Sequence, residues 1–198
     1  MKILHRVPDS VLWLMPFGPP EAEYNLKATA ELYGVSPQRL IFTQPLPYKL
    51  HLRQKSSARL VLDTPLYNGH KSTADALWAG LPVLTLRQSP DAQHRPVSMV
   101  SGSLIHGLGS TRLLKELVVE DLVTYEEQAV RLATDQQLYT DIRDELWARR
   151  SAPGGLFDVY SWTLNFEKGA IYFPVPYPHL LMCLFIDFCV CLCVCYYV

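Results

Sequence analysis

Short runs of consecutive apolar residues alternate along most of this chain with longer segments of helical periodicity. Val11-Leu12-Trp13-Leu14-Met15 is wholly apolar and is stopped by Pro16 and Gly18-Pro19-Pro20, as a buried strand entering a loop would be. From Glu21 to Tyr33, Leu26, Ala30 and Tyr33 recur at helical spacing, and Gly34 offers a C-terminal cap before the turn Ser36-Pro37-Gln38. Leu40-Ile41-Phe42 reads as the next strand, followed by a polar segment around His51 to Ser57. The alternation then repeats, with a strand at Leu60-Val61-Leu62, a helix from about His70 to Ala79 and a strand at Pro82 to Leu86. A helix over Ala92 to Ile105, a strand at Leu117-Val118-Val119 and helices over Leu122 to Ala133 and Gln136 to Arg150 complete the pattern. In the last of these, Leu138, Ile142, Leu146 and Arg149 form a stripe with charges opposite. Wholly apolar strands alternating with amphipathic helices predict parallel strands joined by crossovers and covered by helices on both faces. The expected fold is therefore α/β, a doubly wound Rossmann-like parallel sheet with additional C-terminal helices.

The composition supports a folded domain and removes some partners. With 49% hydrophobic and 19% charged residues over 198 positions, the chain can bury a core. Lys and Arg number 18 against 19 Asp and Glu, a formal charge of -1, and there is no run of five or six like charges. Nucleic-acid binding through backbone charge is thereby disfavoured.

Cysteine usage marks a break near the end. All five cysteines lie between Cys183 and Cys195, and within Leu180 to Val198 only Asp187 is not hydrophobic. Residues 1–179 contain no cysteine, and Met1 to Arg6 lacks a long apolar segment, so a reducing compartment, cytoplasmic or nuclear, is expected. The chain divides into a folded lobe, residues 1–175, and a hydrophobic Cys-rich tail, residues 176–198. Three readings stand for the tail: a membrane anchor, which its length permits; a metal site, for which Cys-x-Cys spacing lacks the usual gaps and His partners; and sequence foreign to the fold.

Ligands of open parallel sheets bind beyond the carboxyl ends of the strands, and the loop after Leu62 is the richest in chemistry. It reads Asp63-Thr64-Pro65-Leu66-Tyr67-Asn68-Gly69-His70-Lys71-Ser72-Thr73-Ala74-Asp75. Asn68-Gly69 is expected to make a tight turn that feeds backbone amides into a pocket, with His70 to Thr73 opening a helix whose free N–H groups and dipole favour phosphate. His70 and Lys71 add donor or positive groups, and the Ser72 and Thr73 hydroxyls can donate to phosphate oxygens. Asp75 can accept from two adjacent ribose hydroxyls. The plainer alternative is that Ser72 and Thr73 cap the helix and Asp75 is a favourable early acid.

The string Leu62 to His70, followed by Ala76-Leu77-Trp78-Ala79-Gly80-Leu81-Pro82-Val83, closely resembles the catalytic region of the protein O-linked N-acetylglucosamine transferases. Arg6 to Leu14 upstream and Arg131-Leu132-Ala133-Thr134-Asp135 downstream resemble the same family in the same order. The likeness covers about residues 3–170. It implies the C-terminal lobe of a two-lobed GT-B glycosyltransferase, an inverting enzyme that moves N-acetylglucosamine from UDP-GlcNAc to Ser or Thr of proteins without a metal or other cofactor. By the same resemblance, His70 and Ser72 hold the donor diphosphate and Asp75 the ribose. Lys71 stands where a second Thr is usual. Leu46 falls at a backbone contact to uracil and His51 beside the nucleoside. Tyr48 occupies the usual place of a Lys, with Lys49 next to it, and Gln54 replaces an Arg. Arg95 could face the site or be solvated, while His94, His106, the tyrosines and Trp78 are expected to be structural.

No catalytic residue is assigned. In the family the acceptor groove, the proton-relay candidates, a diphosphate-binding Lys and the helical repeats that hold protein substrates come from segments upstream of the part represented here. The expectation is nucleotide binding with little or no turnover by this polypeptide. Two alternatives share the fold: a GDP-fucose-dependent protein O-fucosyltransferase, and a non-catalytic nucleotide-sugar-binding or interaction module.

Overall fold

A computed structural model describes residues 1–16, 18–87 and 96–172. The tail, together with His94 and Arg95, lies outside the described residues. The chain begins with a short helix α1 (Lys2–Arg6), strand β1 (Leu12–Leu14), helix α2 (Glu21–Leu32) and strand β2 (Leu40–Phe42). Gly34 adopts φ +71° directly after α2, the left-handed conformation in which glycine terminates helices. The segment read as polar is a helix, α3 (Tyr48–Lys55). Its one buried residue is His51, so the hydrophobic period that betrays other helices is missing.

Strand β3 (Val61–Leu62), helix α4 (Lys71–Trp78) and strand β4 (Val83–Leu86) follow. After a 3-10 turn at Pro96–Ser98 come helices α5 (Val100–Gly107) and α6 (Thr111–Leu117), then strand β5 (Val118–Val119). The described part of the segment expected as one helix over Ala92 to Ile105 is thus a turn followed by α5. Leu117, expected in the strand, closes α6 instead. Helices α7 (Leu122–Thr134), α8 (Gln136–Arg149) and α9 (Val159–Tyr172) end the described chain. Asp121 and Asp135 cap α7 and α8 by accepting from backbone N–H groups of the first turns.

Every strand pairing is parallel. β1 pairs with β2, and β4 lies between β3 and β5, in register Val61 to Val83 and Thr85 to Val118. Both faces of the larger ladder are covered, as doubly wound sheets require. Val83 packs with Ala76, Leu77, Ile105 and Leu146 of the flanking helices, whereas its neighbour Leu84 packs with Val119, Tyr125 and Ala129 on the other face. This alternation along one strand is the period-two consequence of the pleat. The first ladder has its own small core of Leu4, Ala30, Val35 and Leu40, and Arg6 of α1 reaches Glu126 of α7 at 3.0 Å.

One buried carboxylate organises the end of β3. Asp63 Oδ1 accepts from the Gly69 N–H at 2.8 Å, and Oδ2 accepts from the Thr85 hydroxyl of β4 at 2.7 Å. The Tyr125 hydroxyl of α7 donates to the Asp63 carbonyl at 2.9 Å. Burial pushes the Tyr125 hydroxyl pKa well above its ordinary value, with the nearby Asp63 charge adding to the effect, so Tyr125 stays a donor. Asp63→Ala strands the buried Thr85 hydroxyl and the half-buried Gly69 amide at once. It is expected to cost about 1–3 kcal/mol of unfolding free energy, read as a lower denaturation midpoint. Leu84→Ala, at a fully buried central position, is expected to cost about 2–5 kcal/mol in the same measurement.

Candidate functional site

The loop from Asp63 to His70 leaves the carboxyl end of β3 and delivers the chain to α4. Asn68 is buried and holds the loop from inside. Its amide side chain donates to Thr64 O at 3.0 Å, and its Oδ1 accepts from the Ser101 N–H at 3.3 Å. Its backbone N–H donates to Val97 O at 2.8 Å. The Thr64 hydroxyl donates to Tyr67 O. Gly69 does not take a left-handed conformation; it is needed because a Cβ there would meet Thr73 Oγ1 at 2.5 Å and Ser72 Oγ at 2.7 Å.

These bonds correct one expectation. The amides of Asn68 and Gly69 do not feed a pocket, because Val97 and Asp63 consume them. The polar turn of α4 takes that role. The N-cap residue His70 makes no side-chain capping bond to this helix, and among the described residues none accepts from the backbone N–H of Ser72 or Thr73. Neither residue therefore serves as the cap that the plainer reading required. Thr73 is buried and its hydroxyl pairs with Ser101 Oγ at 2.9 Å, so only Ser72 of the two hydroxyls is exposed to a ligand.

A cavity of about 240 Å³ opens on this turn, lined by Thr64, Tyr67, Asn68, Gly69, His70, Lys71 and Ser72. Ligand pockets for whole drug-sized molecules run roughly 300–1,000 Å³; this one suits a diphosphate-sized group. The His70 ring lies 5.0 Å from the Tyr67 ring. Beneath the cavity, α3 packs on α4 and brings together side chains far apart in sequence. Asp75 is buried. Its Oδ1 accepts from the Tyr48 hydroxyl at 3.0 Å and its Oδ2 from Lys71 Nζ at 2.8 Å. The Lys71 ammonium also sits 4.0 Å from the Tyr48 ring centroid, a cation-π arrangement. Lys55 Nζ donates to the Ser72 carbonyl at 3.1 Å, and His51 is buried on the same helix.

The electrostatics follow from this crowding of cations around one carboxylate. Burial lowers the Lys71 pKa, but bonds to Asp75 and Tyr48 outweigh it and carry the ammonium above its ordinary value. Burial lowers the Lys55 pKa, opposed by Asp75 and assisted by Lys71. Burial likewise lowers the His51 pKa, with Lys55 acting in the same direction, which favours a neutral imidazole at pH 7.

Of the residues singled out in the sequence, His70, Lys71 and Ser72 line one cavity, and Asp75 and His51 lie in the cluster beneath it. Leu46 and Lys49 are exposed near the start of α3, and Gln54 is half-buried on that helix. Tyr48, noted as a departure from the family pattern, proves to be a direct partner of Asp75. Lys55 was missed altogether. The only sequence signals available were its one-turn spacing from His51 and the i,i+4 spacing of Lys71 and Asp75. Trp78 is cover, with its ring edge-on to Phe157 at 5.1 Å and the Arg150 guanidinium 4.1 Å above it. Among the described residues no group of three or more His, Cys, Asp or Glu converges as a metal centre would, and no helix is long and apolar enough to cross a membrane.

Comparison with known proteins gives the site a context. In fold, the chain superposes on an O-GlcNAc transferase of Thermobaculum terrenum, the K341M mutant, with a TM-score of 0.66 and 28% identity over 79% of this chain and 29% of that one. In sequence it is 38% identical over 167 residues to the probable UDP-N-acetylglucosamine-peptide N-acetylglucosaminyltransferase SEC of Arabidopsis thaliana, covering 84% of this chain and 16% of that protein. It is 34% identical over 167 residues to the UDP-N-acetylglucosamine-peptide N-acetylglucosaminyltransferase of Caenorhabditis elegans, covering 84% of this chain and 14% of that protein. The chain thus spans about one seventh to one sixth of the length of these two curated relatives. The family model of glycosyl transferase family 41 matches residues 1–166, a stretch that runs from α1 through the β3 loop and the α4 turn into α9, and on that match this chain belongs to glycosyl transferase family 41.

Proposed function

We propose that this chain supplies the UDP-binding half of a protein O-GlcNAc transferase, which moves N-acetylglucosamine from UDP-GlcNAc to Ser or Thr hydroxyls of proteins. The observation that carries the reading is the uncapped first turn of α4, opening on a cavity of diphosphate size lined by His70, Lys71 and Ser72. In an inverting transfer the acceptor hydroxyl attacks the anomeric carbon as the bond to the diphosphate oxygen breaks. Charge then builds on the leaving diphosphate, so donors aimed there act on the transition state. The Ser72 and Thr73 amides, the Ser72 hydroxyl, His70 and Lys71 are the donors this chain brings, and the reading needs no metal. Asp75 would take the ribose hydroxyls. The loop before α3 with Leu46, and α3 itself with Lys49, His51 and Gln54, would face the nucleoside.

Acceptor binding and proton removal from the hydroxyl would rest with an upstream lobe, and capture of protein substrates with helical repeats. The cytoplasm or nucleus is the compartment that fits cysteine-free residues 1–179.

Titration calorimetry of the chain with UDP and with GDP tests the donor. UDP is expected to bind more tightly. Tighter GDP binding would move the donor to a GDP-sugar such as GDP-fucose, and the absence of binding by either would leave an interaction module. Asp75→Ala is expected to weaken UDP binding by about 1.5–3 kcal/mol, the scale of a charge-assisted hydrogen bond, or roughly tenfold to a hundredfold. An unchanged UDP affinity in that variant would remove Asp75 from the site.

A further inference from the structure

Lys71 occupies two places at once. As the first residue of α4 it lines the cavity, while its ammonium is turned down onto Asp75 at 2.8 Å, one helical turn along. Tyr48 holds the other carboxylate oxygen at 3.0 Å. Both Asp75 oxygens are therefore engaged by protein, in the geometry where two adjacent ribose hydroxyls would have to donate. A diphosphate at the α4 turn offers Lys71 a more highly charged acceptor. The lysine stem is flexible enough to exchange one partner for another, which a guanidinium fork does less readily.

We propose that Lys71 is a two-position residue that bonds Asp75 until a diphosphate draws it into the cavity, so that phosphate binding frees Asp75 Oδ2 for the ribose and couples the two halves of the site. This rests on the reading of the α4 turn as a diphosphate site. The surroundings suit the exchange. When Lys71 leaves, Asp75 keeps the Tyr48 hydroxyl and the field of the nearby Lys55. Lys55 is anchored to the Ser72 carbonyl, so the cluster does not lose all its positive charge. Lys71 is also held over the Tyr48 ring at 4.0 Å, which places its ammonium on the α3 side of the turn and gives it a defined resting position. Lys71 is in this sense a positioning residue for Asp75 as well as a diphosphate ligand.

The test is fragment binding to the 198-residue chain, by titration calorimetry or ligand-observed NMR. UDP is titrated first, then uridine in the absence and presence of saturating inorganic pyrophosphate. Pyrophosphate is expected to tighten uridine binding at least about fivefold, the lower range of allosteric coupling. The effect should vanish in Lys71→Met and return only in part in Lys71→Arg, whose fork exchanges partners less readily. If UDP binds but pyrophosphate leaves the uridine affinity unchanged, or if coupling survives in Lys71→Met, the exchange is overturned and the donor-site reading stands. If neither UDP nor pyrophosphate binds, both fall together.

Discussion

The bond between the Asp63 carboxylate and the Gly69 amide is the constraint on which the rest of the site depends. A loop that leaves a parallel strand and enters a helix has to satisfy its own backbone before it can present donors to a ligand. Asp63 does this from the last buried position of the strand end, and its second oxygen ties the loop to Thr85 of the neighbouring strand. With Gly69 held inward and Asn68 bonded to Val97 and Ser101, the first turn of α4 is left as the place where the Ser72 and Thr73 amides have no acceptor among the described residues. The absence of a Cβ at Gly69 permits the close approach of Ser72 and Thr73 that this path demands.

Around that turn Tyr48 stands at the place where the resemblance implies a lysine, and Lys71 at the place where it implies a threonine. In space the two meet, with the ammonium over the ring and both side chains on Asp75. By the same resemblance Gln54 stands in the place of an Arg, and the next residue, Lys55, bonds the Ser72 carbonyl.

Much of the architecture was legible because it is built from strong local signals. The strands are wholly apolar, α2, α7 and α8 carry helical periodicity, and Gly34 stops α2 as its position suggested. Four helices escaped, α1, α3, α6 and α9. α1 and α6 are short, and α3 carries charges on most of its turns and buries a histidine; packing against the rest of the chain is what makes such segments helical. α9 has no buried residue among Val159 to Gly169, so it shows no apolar stripe facing a core. The residue types of the α4 turn were readable as well. Their fine assignment was not, since the Gly69 amide is taken by Asp63, while the Asn68 amide bonds Val97 and Thr73 pairs with Ser101, segments some 30 residues downstream.

The amino-acid sequence by itself determined the α/β class, the parallel pattern, the strand-loop-helix that carries the chemistry and the presence of His70, Lys71, Ser72 and Asp75 within one turn or so of each other. These follow from periodicity, from turn residues and from the donors that phosphate and ribose require, all short-range properties of the chain. Only the tertiary structure decided which amides remain available, that Tyr48 and Lys55 of α3 join the cluster, and that the Asp75 carboxylate is already shared between Tyr48 and Lys71. Those outcomes depend on how two helices and two strand ends pack, and a contact between residues 27 positions apart leaves no periodic trace along the chain.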